Sequence, residues 1–519
     1  MSKNIIKSAL LCFIAILISG TLKGQEFSDR YVFYHSMDEV YEMLHGFAQT
    51  YPALVYTDTI GFSQEKEYPI IALRISDNPG IDEDEPCVMY DGLHHAREPI
   101  SMEVCLNLIN HLLTGYGTDE QITQWVNETE IWVIPMMNPE GWEYVVDESL
   151  VYPYWRKNLR DNNGNGQFDP SVDGVDINRN YDFNWLQGGS GNYGSLTYRG
   201  PAPFSEGEAK AKRDLALREK PIISLSYHTY GEIIIYSWSD RPEAPDQDLI
   251  LSIATEVASR IPSSTGSGTY NPTVSNCQNG FSRCWMYAVA GSLEYTVECA
   301  KEFIPDGAAG LEIAEQNLEG ALYILDRVHG SGLQIHVKDA ISGEPVVATI
   351  KVPEIYQEVL TPRTTDSIFG RFDRLLLPGN YNLEISSSGY ETQLRENIPV
   401  AENRKTPVEI FLQPESVSSK DVLIASRGGK LLINKIYPNP FREEFTMDFT
   451  LYENTPVQIL LTDFTGRHVQ LLLNETRAAG QHQLKWKTQT AGINLQPGFY
   501  LISVQTKSSR LTKRILMNR

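Results

Sequence analysis

Strand and helix patterns alternate between Gln25 and about Gly330, and this alternation limits the fold more than any other feature of the chain. Short apolar runs typical of buried strands lie at 131–135, 222–227 and 293–298, and a turn at 138–141 follows the first of them. Apolar residues recur at helical spacing near 38–49, 100–114, 206–219, 247–260 and 311–328. The alternation predicts an α/β domain over residues 25–330, with a mixed, mostly parallel twisted sheet flanked by helices.

The pattern changes near Gly330, where helical spacing stops. Residues 333–413 show short alternating strands separated by turns, which predicts a small β-sandwich. Residues 414–432 are rich in Ser and Lys and poor in aromatic residues, which indicates a linker. A further β-rich segment, 433–519, predicts a second small all-β sandwich. A chain of 519 residues is too long for a single core, so several domains are expected.

The first 24 residues have the pattern of a secretory signal peptide. Lys3 and Lys7 precede an apolar stretch at 9–18, and small residues follow it. That stretch is short for a membrane span, and no later segment reaches the necessary length, so we expect no transmembrane segment after signal removal. The formal net charge of -22 argues against nucleic acid or anionic membranes as partners.

Five cysteines follow the signal segment, and their odd number leaves at least one of them without an intramolecular partner. Cys277 and Cys284 form the nearest plausible disulfide, which export would permit. Buried unpaired cysteines are also common, so both states stay open at this point.

The stretch from Asp91 to Pro99 lies at a predicted strand-to-helix turn and carries His95 and Glu98. A neutral histidine nitrogen beside a carboxylate oxygen is a ligand pair that suits zinc, and a catalytic zinc site needs three protein ligands. The best third candidate is His228, at the end of a buried strand. The alternative for His228 is an ordinary structural histidine.

Two arginine- and amide-bearing segments and one acidic strand end complete the candidate site. Arg179 with Asn178 can hold a carboxylate through parallel hydrogen bonds, and Arg156 can face a developing oxyanion. Glu298, at the end of an apolar strand, is a candidate general base. The alternatives are surface arginines and a Glu298 that pairs with a lysine.

Taken in order along the chain, these motifs resemble the zinc carboxypeptidase family of the pancreatic A, B and O type, over residues 30–328. The matching residues are His95-Ala96-Arg97-Glu98, Trp155-Arg156-Lys157, Gly174 to Asn180, His228-Thr229-Tyr230 and Glu298. The resemblance implies a secreted enzyme that hydrolyses the C-terminal peptide bond of peptides or proteins. It implies these site residues: His95, Glu98 and His228 on Zn²⁺, Glu298 as general base, Arg156 on the oxyanion, Asn178 and Arg179 on the terminal carboxylate, and Arg97 and Tyr230 in substrate subsites.

The chain departs from the family pattern in the segment before Glu298. The mobile tyrosine of the family, twenty-two residues before this glutamate, is replaced by Asn276, and Tyr270 is near but not aligned. The residue fifteen before it, at the base of the specificity pocket, is Arg283. In carboxypeptidase O an arginine there favours acidic C-termini, so the resemblance implies a preference for Glu or Asp. The alternative is that Cys284, in place of the usual aspartate, turns Arg283 to solvent.

Further resemblances concern the chain ends. Residues 333–413 are similar to the transthyretin-like or carboxypeptidase regulatory-like domain that follows some family members. Residues 433–519 resemble the C-terminal sorting domain of type IX secretion. That resemblance implies the type IX machinery as a partner and export through the periplasm of a Gram-negative bacterium to the surface or medium. About seventy residues separate Gln25 from His95, so we expect no inhibitory propeptide.

Three alternatives remain. The segment 161–173 has oxygen ligands at alternate positions, as calcium loops do, but Val172 stands where such a loop has an acidic residue, and the alternative is a solvated Asn/Gly turn. The same zinc site could serve cell-wall or γ-glutamyl peptides. An inactive surface-binding homologue would keep the fold without the reaction.

Overall fold

The computed structural model describes residues 34–146, 154–239, 243–415, 431–463, 467–488, 495, 498–507 and 509–518. The predicted signal segment and most of the predicted linker lie outside these ranges. The chain forms two compact units, Met1–Pro414 and Glu415–Arg519.

The first unit contains an eight-stranded sheet with the order β1-β2-β4-β3-β5-β8-β6-β7. Its strands are β1 Val55–Phe62, β2 Pro69–Ile75, β3 Cys87–Asp91, β4 Glu130–Ile134, β5 Ile223–Thr229, β6 Ile233–Ser237, β7 Asn271–Ser275 and β8 Leu293–Cys299. The central strands β4, β3, β5 and β8 run parallel, as do β6 and β7, whereas the remaining neighbours are antiparallel. The predicted mixed, mostly parallel sheet is therefore confirmed.

Helices cover both faces of this sheet. They are α1 Met37–Thr50, α2 Ile100–Gly115, α3 Glu120–Glu128, α4 Pro139–Val146, α5 Gly207–Glu219, α6 Gln247–Arg260, α7 Ser282–Trp285, α8 Gly307–Gln316 and α9 Leu318–Arg327. Successive residues of β3 enter different cores, since Val88 and Tyr90 pack in one cluster and Met89 in the other. A sheet buried on both faces explains why its central strands are continuous apolar runs.

The structure differs from the predicted elements at two places. The predicted turn at 138–141 is the start of α4, where Asn138 Oδ1 accepts a hydrogen bond from the Gly141 N–H at 3.0 Å. Pro139 suits the first position of this helix, because proline has no backbone N–H that would need an acceptor there. The single helix predicted at 311–328 is two helices that meet at the buried Asn317. The Asn317 side chain donates to the carbonyl of Ile313 at 2.8 Å, a local bond that competes with continued helix.

Two small sheets follow within the first unit, with the orders β11-β10-β13-β14 and β12-β9-β15. Their strands are β9 Gly332–Asp339, β10 Thr349–Lys351, β11 Arg363–Thr364, β12 Arg371–Leu375, β13 Gly379–Ser386, β14 Gln393–Val400 and β15 Lys405–Leu412. They enclose a separate apolar core that includes Leu333, Ile335 and Ile410. A buried ion pair between Arg374 and Asp246 joins this layer to the helical domain.

The described residues of the second unit form two β-sheets, with the strand orders β16-β17-β20 and β19-β18-β21-β22. Its strands are β16 Leu431–Tyr437, β17 Glu444–Leu451, β18 Thr455–Asp463, β19 His468–Arg477, β20 Gly480–Lys487, β21 Gly498–Gln505 and β22 Arg510–Met517. Alternate residues such as Ile459, Leu461 and Val504 fill one core. Among the helices described in either unit, none has the length and apolar character needed to cross a membrane.

Candidate active site

Three parallel strands bring the predicted site residues to one edge of the sheet. His228 of β5 and Glu298 of β8 are direct neighbours in register, and β3 ends beside them at Asp91. The turn after β3 carries His95 and Glu98 and packs closely on α2. A Cβ atom at Gly92 would lie 2.4 Å from the carbonyl oxygen of Ser101, so only glycine fits at this point of the turn. Carboxyl ends of parallel strands are the usual place for a site in such a sheet.

His95, Glu98 and His228 converge as a possible metal-binding group. Their donor atoms all lie within 4.8 Å of one another, and all three residues are buried. Glu98 Oε1 lies 2.9 Å from His95 Nδ1, and Glu98 Oε2 lies 2.9 Å from His228 Nδ1. The two Nδ1 atoms are 3.1 Å apart, so both imidazoles present the same nitrogen to one point.

The outer nitrogens of both histidines have their own partners. His95 Nε2 lies 3.1 Å from Asp176 Oδ1, and His228 Nε2 lies 3.3 Å from Ser226 Oγ. Ser226 in turn donates to Asp91 Oδ1 at 2.7 Å. Such partners fix the ring orientation and leave Nδ1 for a metal, as is common for histidine ligands.

The protonation states also fit a metal ion. Burial lowers the pKa of His228 to about 3, so its imidazole is neutral, as a ligand must be. Although burial opposes it, His95 and His228 hold the pKa of Glu98 below its ordinary value. Two histidines and one carboxylate are a donor set found in catalytic zinc sites, which keep one coordination position open.

Glu298 faces this group from β8. Burial and then the negative charge of Glu98 raise the pKa of Glu298 to about 8, against the opposing effect of Arg156, Arg283 and Arg179. A bound dication would offset the charge of Glu98 and so favour the carboxylate form of Glu298.

Arg156 and Arg179 share Asp176 beneath the site. Arg156 Nε donates to Asp176 Oδ2 at 2.9 Å, and Arg156 Nη1 lies 3.6 Å from Glu98 Oε1. Arg179 Nη1 lies 3.9 Å from Asp176 and donates to the Asn178 carbonyl at 2.8 Å. Asp176 therefore orients both guanidinium groups and His95 at the same time.

Arg97 and Tyr230 both contact Phe303. The Arg97 guanidinium carbon is 3.9 Å from the Phe303 ring centroid, and the Tyr230 ring meets Phe303 edge-on at 4.7 Å. Tyr230 is 50% exposed, so this group forms a surface that a ligand can reach.

A disulfide between Cys277 and Cys284 closes the loop that carries Arg283. Arg283 is only 3% exposed, and its Nη2 donates to the Asn276 carbonyl at 2.9 Å. The alternative in which Arg283 turns to solvent is therefore wrong. Asn276 is exposed at the start of this loop, whereas Tyr270 is buried and its hydroxyl accepts from the Ala300 N–H at 3.3 Å.

Residues 40–320 match the family model described as zinc carboxypeptidase. The chain belongs to the zinc carboxypeptidase family. Residues 435–518 match the model of a secretion system C-terminal sorting domain. The family and the sorting domain expected from the sequence are both confirmed, and the sorting domain indicates a secreted or cell-surface location.

Two curated relatives and one solved structure illustrate the similarity. A zinc carboxypeptidase of Saccharothrix mutabilis subsp. capreolus is 29% identical over 285 residues, which are 53% of this chain and 63% of that protein. Human carboxypeptidase D is 26% identical over 470 residues, 85% of this chain and 31% of that protein. The crystal structure of thrombin activatable fibrinolysis inhibitor is 25% identical, with a TM-score of 0.50 over 56% of this chain and 73% of that one. The chain thus spans less than two thirds of either curated relative.

Members of the zinc carboxypeptidase family use zinc, and the His-Glu-His group is present here. The calcium interpretation of 161–173 is not supported. In that loop the Asp161 carboxylate accepts backbone N–H groups of Gly164 at 2.6 Å and Gly166 at 2.8 Å, and Asp173 accepts those of Asn162 and Asp169. The loop carboxylates are thus engaged in holding its own turns. Within the described ranges, none of the clustered metal-capable side chains belongs to this loop.

Three residues of the site were missed from sequence. Asp176 lies inside a motif that was recognised, and its acidic side chain between Gly174 and Asn178 was an available signal. Phe281 and Phe303 had no such signal, because an isolated aromatic residue in a loop does not reveal which cation it will contact.

Proposed function

We propose that the chain is a secreted zinc-dependent carboxypeptidase that hydrolyses the C-terminal peptide bond of peptides or proteins. The observation that carries this proposal is the convergence of His95, Glu98 and His228 within 4.8 Å, next to Glu298. Family membership supports it. In this proposal the three converging residues hold Zn²⁺.

Zinc, when bound, supplies a Lewis acid for the scissile carbonyl and lowers the pKa of a water molecule. Glu298 accepts the proton of the water that attacks the carbonyl carbon and later donates a proton to the leaving amine. Arg156 lies beside Glu98, where its fixed charge stabilises the negative oxygen that develops. Asp176 orients this guanidinium, because its Oδ2 accepts a hydrogen bond from the Nε atom at 2.9 Å.

Asn178 and Arg179 bind the terminal carboxylate of the substrate in this proposal. The Asn178 amide is itself oriented, since its Oδ1 accepts the Ser282 N–H at 2.9 Å. Arg179 has further N–H groups besides the one that donates to the Asn178 carbonyl, so it can form a charge-assisted pair with a carboxylate. Arg97 and Tyr230, which both contact Phe303, would bind substrate residues further from the C-terminus.

The proposal is tested by mass spectrometry of peptide digests. We expect loss of single residues from the C-terminus, complete inhibition by a chelator and recovery with Zn²⁺. A matched peptide with an amidated C-terminus should react more slowly by roughly one to two orders of magnitude, because a charge-assisted hydrogen bond contributes about 1.5–3 kcal/mol. Internal cleavage, with equal rates for the acid and the amide, would refute carboxypeptidase activity.

We also propose a preference for acidic C-terminal residues, carried by Arg283. Its guanidinium is buried, and it lies near enough to Glu298 to oppose the rise in the pKa of that carboxyl. A substrate Glu or Asp carboxylate would pair with this charge, whereas an apolar side chain would leave it desolvated.

The preference is measured as kcat/KM on matched peptides that end in Glu, Phe and Lys. We expect the wild type to cleave Glu ends fastest, by about a hundredfold over Phe, which corresponds to roughly 3 kcal/mol for the charge-assisted pair that only the acidic side chain forms. Arg283→Ile should reverse the order of Glu and Phe. An unchanged order in the variant would contradict the role of Arg283.

The proposed domain organisation assigns catalysis to residues 25–330 and export to 433–519. A transthyretin-like or regulatory-like domain at 333–413 and a linker at 414–432 separate them. The two small sheets between Gly332 and Leu412 and the sorting-domain match support this division. We propose that a signal peptide at 1–24 directs the chain into the periplasm and that the type IX machinery then recognises the sorting domain.

A further inference from the structure

The ring of Phe281 contacts two guanidinium groups. The guanidinium carbon of Arg179 lies 4.3 Å from the ring centroid, and that of Arg283 lies 4.2 Å from it. Both distances are well inside the range in which a cation is attracted to an aromatic face. The two arginines come from different segments, so the ring is their shared contact.

The position of Phe281 is fixed from both of its backbone neighbours. Gly280, with a φ of +63°, accepts a hydrogen bond from the Tyr181 N–H at 3.2 Å, and a Cβ at this glycine would lie 2.6 Å from the Arg179 carbonyl oxygen. On the other side, the Ser282 N–H donates to Asn178 Oδ1. The backbone around Phe281 is therefore attached to the segment that carries Arg179.

Arg283 is buried and Arg179 is largely buried, and the burial of a charged group carries a cost in free energy. Burial lowers the pKa of Arg179 to about 10, even though Asp176 opposes this. The negative face of an aromatic ring attracts both cations and leaves their net charge intact.

We propose that Phe281 is a specificity-determining residue that positions Arg179 and Arg283 as a pair, so that they bind the two carboxylates of one acidic C-terminal residue. The ligand class is a dicarboxylate, namely a C-terminal Glu or Asp. This inference rests on the proposed carboxypeptidase function. It adds that the two arginines share one contact, the Phe281 ring, besides the backbone carbonyl to which each of them donates a hydrogen bond.

The test compares Phe281→Leu with Phe281→Tyr on peptides that end in Glu or in Gln, which differ in charge and not in shape. Phe281→Leu should lower the Glu-to-Gln ratio of kcat/KM about tenfold, since it removes two cation–π contacts. Phe281→Tyr keeps the ring and should stay within about twofold of the wild-type ratio. Phe281→Met serves as a second non-aromatic variant if leucine lowers the thermal midpoint.

Phe303→Leu is the matched control, because Phe303 carries the single guanidinium of Arg97. It should lower the rates for Glu and Gln peptides alike and leave their ratio unchanged. A Phe281→Leu ratio equal to that of the wild type, in an enzyme that prefers Glu, would overturn the inference about Phe281 alone.

Calorimetry separates this inference from the proposed function. N-acetylglutamate should bind the wild type about tenfold or more tightly than N-acetylglutamine, and Phe281→Leu should remove most of that difference. This measurement needs no turnover. A wild-type protein that hydrolyses no peptide would refute the proposed function. Equal binding of N-acetylglutamate and N-acetylglutamine by the wild type would instead overturn the paired-arginine inference.

Discussion

Replacing Glu298 with Gln is expected to lower kcat on a peptide that ends in Glu by on the order of a thousandfold, while KM changes little. Glutamine keeps the size of the side chain but has no proton acceptor for the attacking water, and general base catalysis contributes about 10²–10⁴-fold. The neighbouring charges do not compensate, because Arg156, Arg283 and Arg179 only donate hydrogen bonds.

The measurement is steady-state kinetics together with the zinc content of the purified variant. Glu298→Gln should retain one zinc per chain, since His95, Glu98 and His228 are untouched. Glu302→Gln is the matched control on an exposed glutamate four residues later, and its kcat should be that of the wild type. Near-normal turnover in Glu298→Gln with zinc bound would remove Glu298 as the base.

The sequence predicts those site residues for which the local pattern and the sheet topology agree. His95, Glu98, His228 and Glu298 stand at strand ends or in the turn directly after a strand, and parallel strands bring such ends together. The strands themselves can be recognised in the sequence because they are buried on both faces and are therefore continuously apolar. For these four residues, the strand pattern indicates one edge of the sheet, and the family resemblance supplies their expected roles.

The rest of the site depends on contacts between distant loops, which periodicity does not encode. Phe281 meets Arg179 across about a hundred residues of chain, and Asp176 meets His95 across 81. A loop residue has no repeating neighbour to indicate which way it points. Similarly, the helix boundary at Asn317 depends on one side-chain amide that bonds to a backbone carbonyl.

Lys212 is the clearest example of a contact that the sequence does not predict, because in the sequence it resembles the other polar residues of α5. It is fully buried, and its Nζ lies 2.6 Å from Asp91 Oδ2 and 2.7 Å from Glu294 Oε2. It also donates to Ser282 Oγ at 2.8 Å. Burial alone would raise the pKa of Asp91, but Lys212 and then His94 hold that pKa below its ordinary value. One ammonium group thus pairs with two carboxylates next to the candidate metal-binding residues.

Replacing Lys212 with Met is expected to lower the free energy of unfolding by about 3–5 kcal/mol, because it leaves buried carboxylates without a cation. Thermal and urea midpoints followed by tryptophan fluorescence measure the loss. Lys210→Met is the matched control: Lys210 lies on the same helix with an exposed side chain, so its change should stay within about 0.5 kcal/mol. Adding Glu294→Gln to Lys212→Met should recover part of the loss, since one of the two uncompensated charges is then removed. Equal midpoints for the Lys212 and Lys210 variants would show that the buried cation is not needed to offset Asp91 and Glu294.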